Sequence, residues 1–255
     1  MSENDAVTVA VSVVVPVRNE AGNIAPLIAE ITAALNGEAI EIVFVDDGSD
    51  DDTAAELRSA LAQNPALRVL HHDRGCGQSA AIRTGVMHAR GGTIVTMDGD
   101  GQNDPADVPE LLTLYRGAGA ACAMVVGHRR GRRDSAIRRF ASLVGNSVRN
   151  VLLGDDTPDT GCSLKVFGRD AFLRLPYFDH MHRFLPALMR REGCAILHCD
   201  VRHRPRVRGV SKYGVFSRLW VGLVDLGGVM WLQARMSRPS LTESSERRDD
   251  SDEPV

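Results

Sequence analysis

Along residues 7–126, apolar β-rich runs alternate with helical patterns. The runs VTVAVSVVVPV (7–17), EIVFV (41–45), LRVLHH (67–72), GTIVTM (92–97) and ACAMVV (121–126) predict strands. The segments between them, AGNIAPLIAEITAALN (21–36), DTAAELRSALAQN (52–64), GQSAAIRTGVMHAR (77–90) and DPADVPELLTLYRGAG (104–119), predict helices. The strands are nearly continuous hydrophobic runs rather than alternating ones, so both of their faces are expected to be covered. That is the signature of an α/β fold with a Rossmann-like, mostly parallel sheet flanked by helices. Beyond residue 126 the regularity loosens, and a second half is placed from about residue 128. No internal repeat is visible. From Ser237 onward the chain is polar and charged, and it is expected to be disordered.

A chain of 255 residues with 44% hydrophobic content can bury a full core. Its formal net charge of −3 averages segregated patches. HRRGRRDSAIRR (128–139) and RHRPRVRGVSK (202–212) are basic, DDGSDDD (46–52) is acidic, and the tail is mixed. Five scattered cysteines, odd in number and without CxxC spacing, predict neither a disulfide framework nor a zinc site. A reducing compartment is the simpler expectation. The start has no basic region ahead of an apolar run, so a cytosolic protein is expected. The eight histidines lack ligand spacing and are read as structural or surface residues.

The chemistry is concentrated at the predicted carboxyl ends of strands, where open parallel sheets collect ligands. PVRNEAG (16–22) follows the first strand, DDGSDDDT (46–53) the second, and DGDGQ (98–102) the fourth. Asp46 and Asp47 could open a turn ending at Gly48, and Asp50 to Thr53 could cap a helix. Asp104 before Pro105 reads as a helix start and is set apart from the chemistry. Asp98 and Asp100 have no such local purpose. Carboxylates so close together are tolerable mainly with a cation between them.

VVVPVRNEAGNI, EIVFVDDGSDDDT, GQSAAIRTGVMHARGGTIVTMDGDGQNDP and DTGCSLKVFGRDAF, in this order and spacing, resemble the family 2 glycosyltransferases of GT-A fold over about residues 9–215. Within them the match is to dolichol- or polyprenyl-phosphate sugar synthases of mannose-synthase type. The resemblance implies a nucleotide-sugar donor, with GDP-mannose the family-level expectation and Pro16, Arg18, Glu20 and Asp47 lining the base and ribose pocket. It implies Mg²⁺ or Mn²⁺ on Asp98, Asp100 and Gln102, against the donor diphosphate. Gly99 and Gly101 would let the backbone approach the ligand, although alanine often occupies the first position in the synthases. The acceptor implied is a polyprenyl phosphate, already an anion and so in no need of a general base; transfer would be inverting. Arg129, and Arg138 or Arg139, would face its phosphate. Ser211 and Lys212, assisted by Arg206 or Arg208, would lie near the donor diphosphate. Asp98, Asp100, Arg129 and Lys212 are the expected catalytic residues.

Asp159 aligns with an aspartate of the family's D-x-S-G-F-R-like motif and is given a positioning role. The motif departs here: Cys162 and Ser163 follow Gly161, and Lys165 stands where arginine is usual, exchanging a bidentate fork for a point charge. Arg130, Arg132, Arg133, Arg202 and Arg204 are read as a solvated or headgroup-binding face. The domain reading is 1–212 for the transferase unit (donor half about 1–127, acceptor half about 128–212), 213–236 for an interfacial helix and 237–255 for the tail.

That helix holds both tryptophans, Trp220 and Trp231, eleven residues apart and so near one side. Asp225 and the short apolar core argue against a transmembrane span. An in-plane helix at a membrane surface is expected, with a buried helix or subunit contact as the alternative. Some relatives carry transmembrane helices after this position, whereas here a polar tail follows. Peripheral association with the cytosolic membrane face, alone or through a membrane-bound partner protein, is the expectation. Two other functions compete: a family 2 transferase acting on a hydroxyl acceptor, with Asp159 as base, and a basic nucleic-acid-binding module. With 5% aromatics and no stacking residues among the arginines, no nucleic-acid partner is expected.

Overall fold

The computed structural model describes residues 9–120, 122–129, 152–154, 157–205 and 215–237. In chain order, β1 (Val11–Val17), α1 (Ile24–Ala34), β2 (Ile40–Asp46), α2 (Thr53–Leu61), β3 (Leu67–His71), α3 (Gln78–His88) and β4 (Thr93–Thr96) form a regular βα alternation. A single 3₁₀ turn (Pro105–Asp107) leads into α4 (Val108–Gly117), followed by β5 (Ala123–Arg129). Next come β6 (Lys165–Gly168), α5 (Arg169–Leu173), α6 (Leu185–Arg191), β7 (Ala195–Val201) and α7 (Val215–Ala234). The strands make one seven-stranded sheet in the order β3-β2-β1-β4-β6-β5-β7. All neighbours run parallel except β6, which is antiparallel to both β4 and β5.

Both faces of the sheet are covered over its central strands, which is why β1, β2, β4 and β5 read as nearly unbroken apolar runs. On β1, Val13, Val15 and Val17 pack into a cluster with Ile24, Ile28 and Ile31 of α1, Leu57 of α2 and Leu111 of α4. Val14 faces the opposite side, where Ala81, Ile82 and Val86 of α3 join Phe172, Leu188 and Val229. At the end of the sheet away from the strand carboxyl termini lies a buried polar knot. The Ser12 hydroxyl donates to Glu41 (2.6 Å) and accepts from the Gly91 amide (2.9 Å), while Arg68 donates to Glu41 (2.6 Å). Burial alone would raise the Glu41 carboxyl, but its bonds from Ser12, the Arg90 amide and Arg68 outweigh that and hold it below its ordinary value.

The cysteine reading is corrected at one point. Cys122 and Cys194 are disulfide-bonded across 72 residues of sequence, joining the chain just ahead of β5 and β7. The pairing Ala123↔Ala195 sets these neighbours side by side. Spacing along the chain carries no trace of a juxtaposition that the sheet creates.

Candidate active site

Because β1, β2, β4, β5 and β7 run parallel, their carboxyl ends lie along one edge of the sheet, and antiparallel β6 brings its amino end, Lys165, to the same edge. Thr96 of β4 and Val126 of β5 both pair with Lys165, and Arg129 pairs with Val201. This gathers Pro16 to Glu20, Asp47, Asp98 to Gln102, Arg129, Asp159 and Lys165.

β4 ends its ladder on β1 at Val14↔Thr96, after which the chain turns off into Asp98 and Gly99. Pro16, which has no N–H, therefore sits beyond the β4 pairing and costs that ladder nothing. A Cβ on Gly99 would lie 2.3 Å from the Val17 side chain and 3.4 Å from the Pro16 carbonyl. Gly99 thus serves packing against β1 in addition to the ligand approach expected of it, whereas Gly101 takes a positive φ of 72°.

Asp100 is 7% exposed and Asp98 is partly buried. Asp98 accepts from the Gln78 amide at 2.7 Å, and its own amide donates to Asn103 (3.0 Å). Burial, then the charge of Asp100, push the Asp98 carboxyl above the ordinary aspartate range; Ser163, Lys165 and Arg129 oppose this only in part. Two hard oxygen donors held close together suit a divalent cation such as Mg²⁺ or Mn²⁺. The Asp100 carboxylate accepts the Gln102 amide N–H (3.0 Å), and the Gln102 side-chain nitrogen lies 3.4 Å from both His203 Nε2 and the Arg204 carbonyl. The acidic turn is thereby held against the segment following β7.

Opposite the acid pair, Arg129 forks Asp159: Nε to Oδ2 and Nη2 to Oδ1, both 2.7 Å. Burial works against the Arg129 charge, but the Asp159 bonds outweigh it and hold the guanidinium above its ordinary value. Lys165 is buried and donates to the Cys162 carbonyl; desolvation lowers its pKa, against the pull of Cys162, Asp98 and Asp159. It balances the acids from beneath, so an outward phosphate-neutralising role does not suit it. The Cys162 thiol is buried and raised by desolvation.

In the expected nucleoside pocket, Asp47 is 4% exposed and accepts the Cys76 and Gly77 amides, each at 2.8 Å. The same 74–77 loop receives Arg18, whose guanidinium fills the space a Cβ on Gly75 would take. The Glu20 carboxylate accepts from Asn23 (2.8 Å). Asp46 and Asp51 do the turn and capping work: Asp46 accepts from Ser49, and Asp51 from the Thr53 and Ala21 amides. Asp104 accepts the Ala106 amide as the helix start requires.

Arg202 (62% exposed) and Arg204 (38%) do lie at the solvated surface, but paired with acids there. Arg202 bonds Asp107 (2.9 Å) and lies 3.3 Å from Asp104, while Arg204 bonds Glu30 and Asp104, each at 2.7 Å. These surface pairs tie the segment after β7 to the start of α4 and to α1. Arg130, Arg132, Arg133, Arg138, Arg139, Arg206, Arg208, Ser211 and Lys212 lie outside the described residues. Sequence reasoning missed Gln78, Asn103 and Ser163, which support Asp98. Ser163 donates to Asn103 at 2.7 Å. The GQS opening of α3 was the one local signal for Gln78.

The family model of glycosyl transferase family 2 matches residues 12–175, a span that takes in the β1, β2 and β4 termini and the Asp159–Lys165 stretch. The chain belongs to glycosyl transferase family 2. Dodecaprenyl-phosphate galacturonate synthase of Rhizobium johnstonii is 36% identical over 244 residues, 92% of this chain and 71% of that protein. Undecaprenyl-phosphate 4-deoxy-4-formamido-L-arabinose transferase of Edwardsiella ictaluri is 35% identical over 209 residues, 80% of this chain and 63% of the relative's length. Among solved structures, glucosyl-3-phosphoglycerate synthase of Mycobacterium tuberculosis, in complex with Mg²⁺ and UDP, superposes with a TM-score of 0.66 at 19% identity, covering 90% of this chain and 80% of that one. The same enzyme has also been solved with Mn²⁺, UDP-glucose and glycerol 3-phosphate, with a TM-score of 0.64. The GT-A fold expected from the sequence is thus present, and these neighbours carry Mg²⁺ or Mn²⁺ beside a uridine nucleotide.

Proposed function

We propose that this protein transfers a sugar from a nucleotide sugar to a polyprenyl phosphate, with inversion and with Mg²⁺ or Mn²⁺ bound. The observation that carries this reading is the relatedness, over 92% of the chain, to an enzyme named for a dodecaprenyl-phosphate product, in a chain whose acid pair and Arg129–Asp159 fork share one sheet edge. The relatives' sugars, galacturonate and formamido-arabinose, move the donor away from the mannose that the first resemblance implied.

In this reading Pro16, Arg18, Glu20 and Asp47 hold the nucleoside. Asp98, Asp100 and Gln102 hold the divalent ion, which when bound neutralises charge on the donor diphosphate. An acceptor phosphate oxygen forms the bond to the anomeric carbon as the carbon–oxygen bond to the diphosphate breaks, and the nucleoside diphosphate leaves with the electron pair. Arg129, positioned by Asp159, supplies the fixed cation that lets two anionic groups approach, and Arg139, Ser211 and Lys212 retain the roles their motifs imply. A hydroxyl acceptor would need a base, and each oxygen of Asp159 already accepts an N–H from Arg129. That geometry favours the phosphate acceptor.

α7 supplies the membrane contact in this reading. Val229, Leu226 and Leu232 pack on the core, while Leu223, Val224, Met230 and Trp231 are exposed, the last by 60%. At about 100° per residue these four share roughly a third of the helix circumference. The side chain of Trp220 lies outside the described residues. Among the described residues no helix is long and apolar enough to cross a membrane. A lipid acceptor makes the bilayer surface the fitting occupant of the stripe. The inner face leads back to the chemistry: Asp225 lies 3.2 Å from His180, and His182 lies 2.7 Å from Ser79, next to Gln78. Desolvation keeps His182 neutral, its pKa pulled down to about 3.

Purified protein offered undecaprenyl phosphate in detergent with a panel of nucleotide sugars should form a lipid-linked monosaccharide. Transfer only to hydroxyl acceptors would replace this reading with the alternative.

A further inference from the structure

We propose that Asp47, His72 and Cys76 form a binding site for a zinc-class divalent cation, separate from the acid pair. One oxygen of Asp47, a ring nitrogen of His72 and Sγ of Cys76 all lie within 4.8 Å of one another, and it is Nδ1 that approaches Asp47. Among the described residues this is the one cluster of three or more histidine, cysteine and acidic side chains so placed. Its oxygen, nitrogen and sulfur donors suit a borderline-soft ion, whereas Mg²⁺ and Mn²⁺ favour the oxygen-only donors of Asp98 and Asp100.

The supporting contacts are those a metal-ligating histidine uses. His72 Nε2 lies 2.9 Å from the Thr84 hydroxyl, which can accept its N–H and so turn the Nδ1 lone pair toward the ion. Asp47 is fixed by the Cys76 and Gly77 amides. Its 2.7 Å approach to Nδ1 would open by about half an ångström around bonds of about 2.0–2.1 Å. Cys76 is exposed, its Sγ donating only to the Arg74 carbonyl at 3.4 Å, and its open side leaves a fourth position for water. Binding converts the thiol to thiolate, and the proton passes to solvent.

The metal site stands on geometry alone; its consequence rests on the proposed function. Asp47 belongs to the expected nucleoside pocket, so an ion there pins the 72–77 loop to the end of β2 and draws on a carboxylate the donor would use. Zinc should therefore inhibit transfer in competition with the donor.

The test uses untagged full-length protein without reductant, titrated with Co²⁺ and read by the sulfur-to-cobalt charge-transfer band. Cys162 and Cys199 are buried and Cys122 is bonded to Cys194, so the band reports Cys76. One equivalent should saturate it and Zn²⁺ should abolish it. Asp100→Asn should leave it intact, Cys76→Ser should remove it, and His72→Gln should weaken Co²⁺ binding at least tenfold. No band in the wild type, or a band surviving Cys76→Ser, overturns the site whether or not the protein transfers sugar. Zinc inhibition of transfer at saturating Mg²⁺, lost in Cys76→Ser, supports the link to the donor; equal inhibition of both proteins overturns that link.

Discussion

Asp159→Ala removes one half of the fork that holds Arg129, and the two side chains are only 13% and 12% exposed. Stripping one partner from a buried ion pair costs about 3–5 kcal/mol, because the remaining charge stays out of water without compensation. The slight exposure of this pair favours the lower end, about 3 kcal/mol. With a urea m-value of about 3 kcal/mol per molar for a chain of this size, the unfolding midpoint should fall by about 1 M. Arg129→Met/Asp159→Ala, which buries neither charge, should recover most of that loss. Activity should not recover with it. A charge-assisted hydrogen bond to phosphate is worth about 1.5–3 kcal/mol, so the double variant should stay at least tenfold down in kcat/KM for lipid-phosphate acceptor. Urea unfolding followed by circular dichroism and initial-rate sugar transfer measure the two quantities on the same preparations. If single and double variants unfold alike, the fork contributes nothing. If the double variant transfers sugar at the wild-type rate, Arg129 has no part in the chemistry.

Glu41 provides a pH test remote from the site. Its carboxyl is depressed in the folded state, so its contribution to stability is complete above the ordinary value of 4.5 and is lost as pH falls through the lower folded value. Glu41→Gln should flatten the acid limb of the stability profile below about pH 4.5; an unchanged limb would remove Glu41 as its source. Asp98→Asn should lower metal-dependent transfer at least a hundredfold, about 2.7 kcal/mol, with the unfolding midpoint little changed. A matching loss of stability would mark Asp98 as structural instead. Trp231→Ser should weaken flotation with anionic vesicles severalfold while leaving the circular dichroism spectrum unchanged; undiminished flotation would leave the outer stripe of α7 without its lipid role.

β1, β2, β4 and β5 were legible because each is buried on both faces, and burial on both faces writes itself as consecutive apolar residues. β3, an edge strand with only Leu67 fully buried, was legible from its short apolar run between helical patterns. β6 was not legible as a strand: four residues, Lys165–Gly168, open on a buried lysine that only the sheet edge explains. β7 lies at the sheet edge with mixed exposure, and its AILHCDV carries no clean period. The site divides the same way. Asp98 and Asp100 stand out because two residues of sequence place them at one strand end, and the turn chemistry of Asp46 and Asp104 is equally local. What supports them is set by tertiary contact: Gln78 reaches Asp98 across 20 residues and Arg204 reaches Glu30 across 174. Basic composition placed Arg202 and Arg204 at the surface correctly, but the acids they pair with there, Asp104, Asp107 and Glu30, are distant in sequence and could not be read from it.

The most direct measurement is product formation by purified protein given undecaprenyl phosphate, Mg²⁺ or Mn²⁺ and a panel of labelled nucleotide sugars, wild type beside Asp100→Asn. A lipid-linked monosaccharide should appear with wild type alone and vanish when a chelator removes the divalent ion. Undiminished transfer by Asp100→Asn or in the presence of chelator, or failure of every nucleotide sugar to label the lipid phosphate, would contradict it.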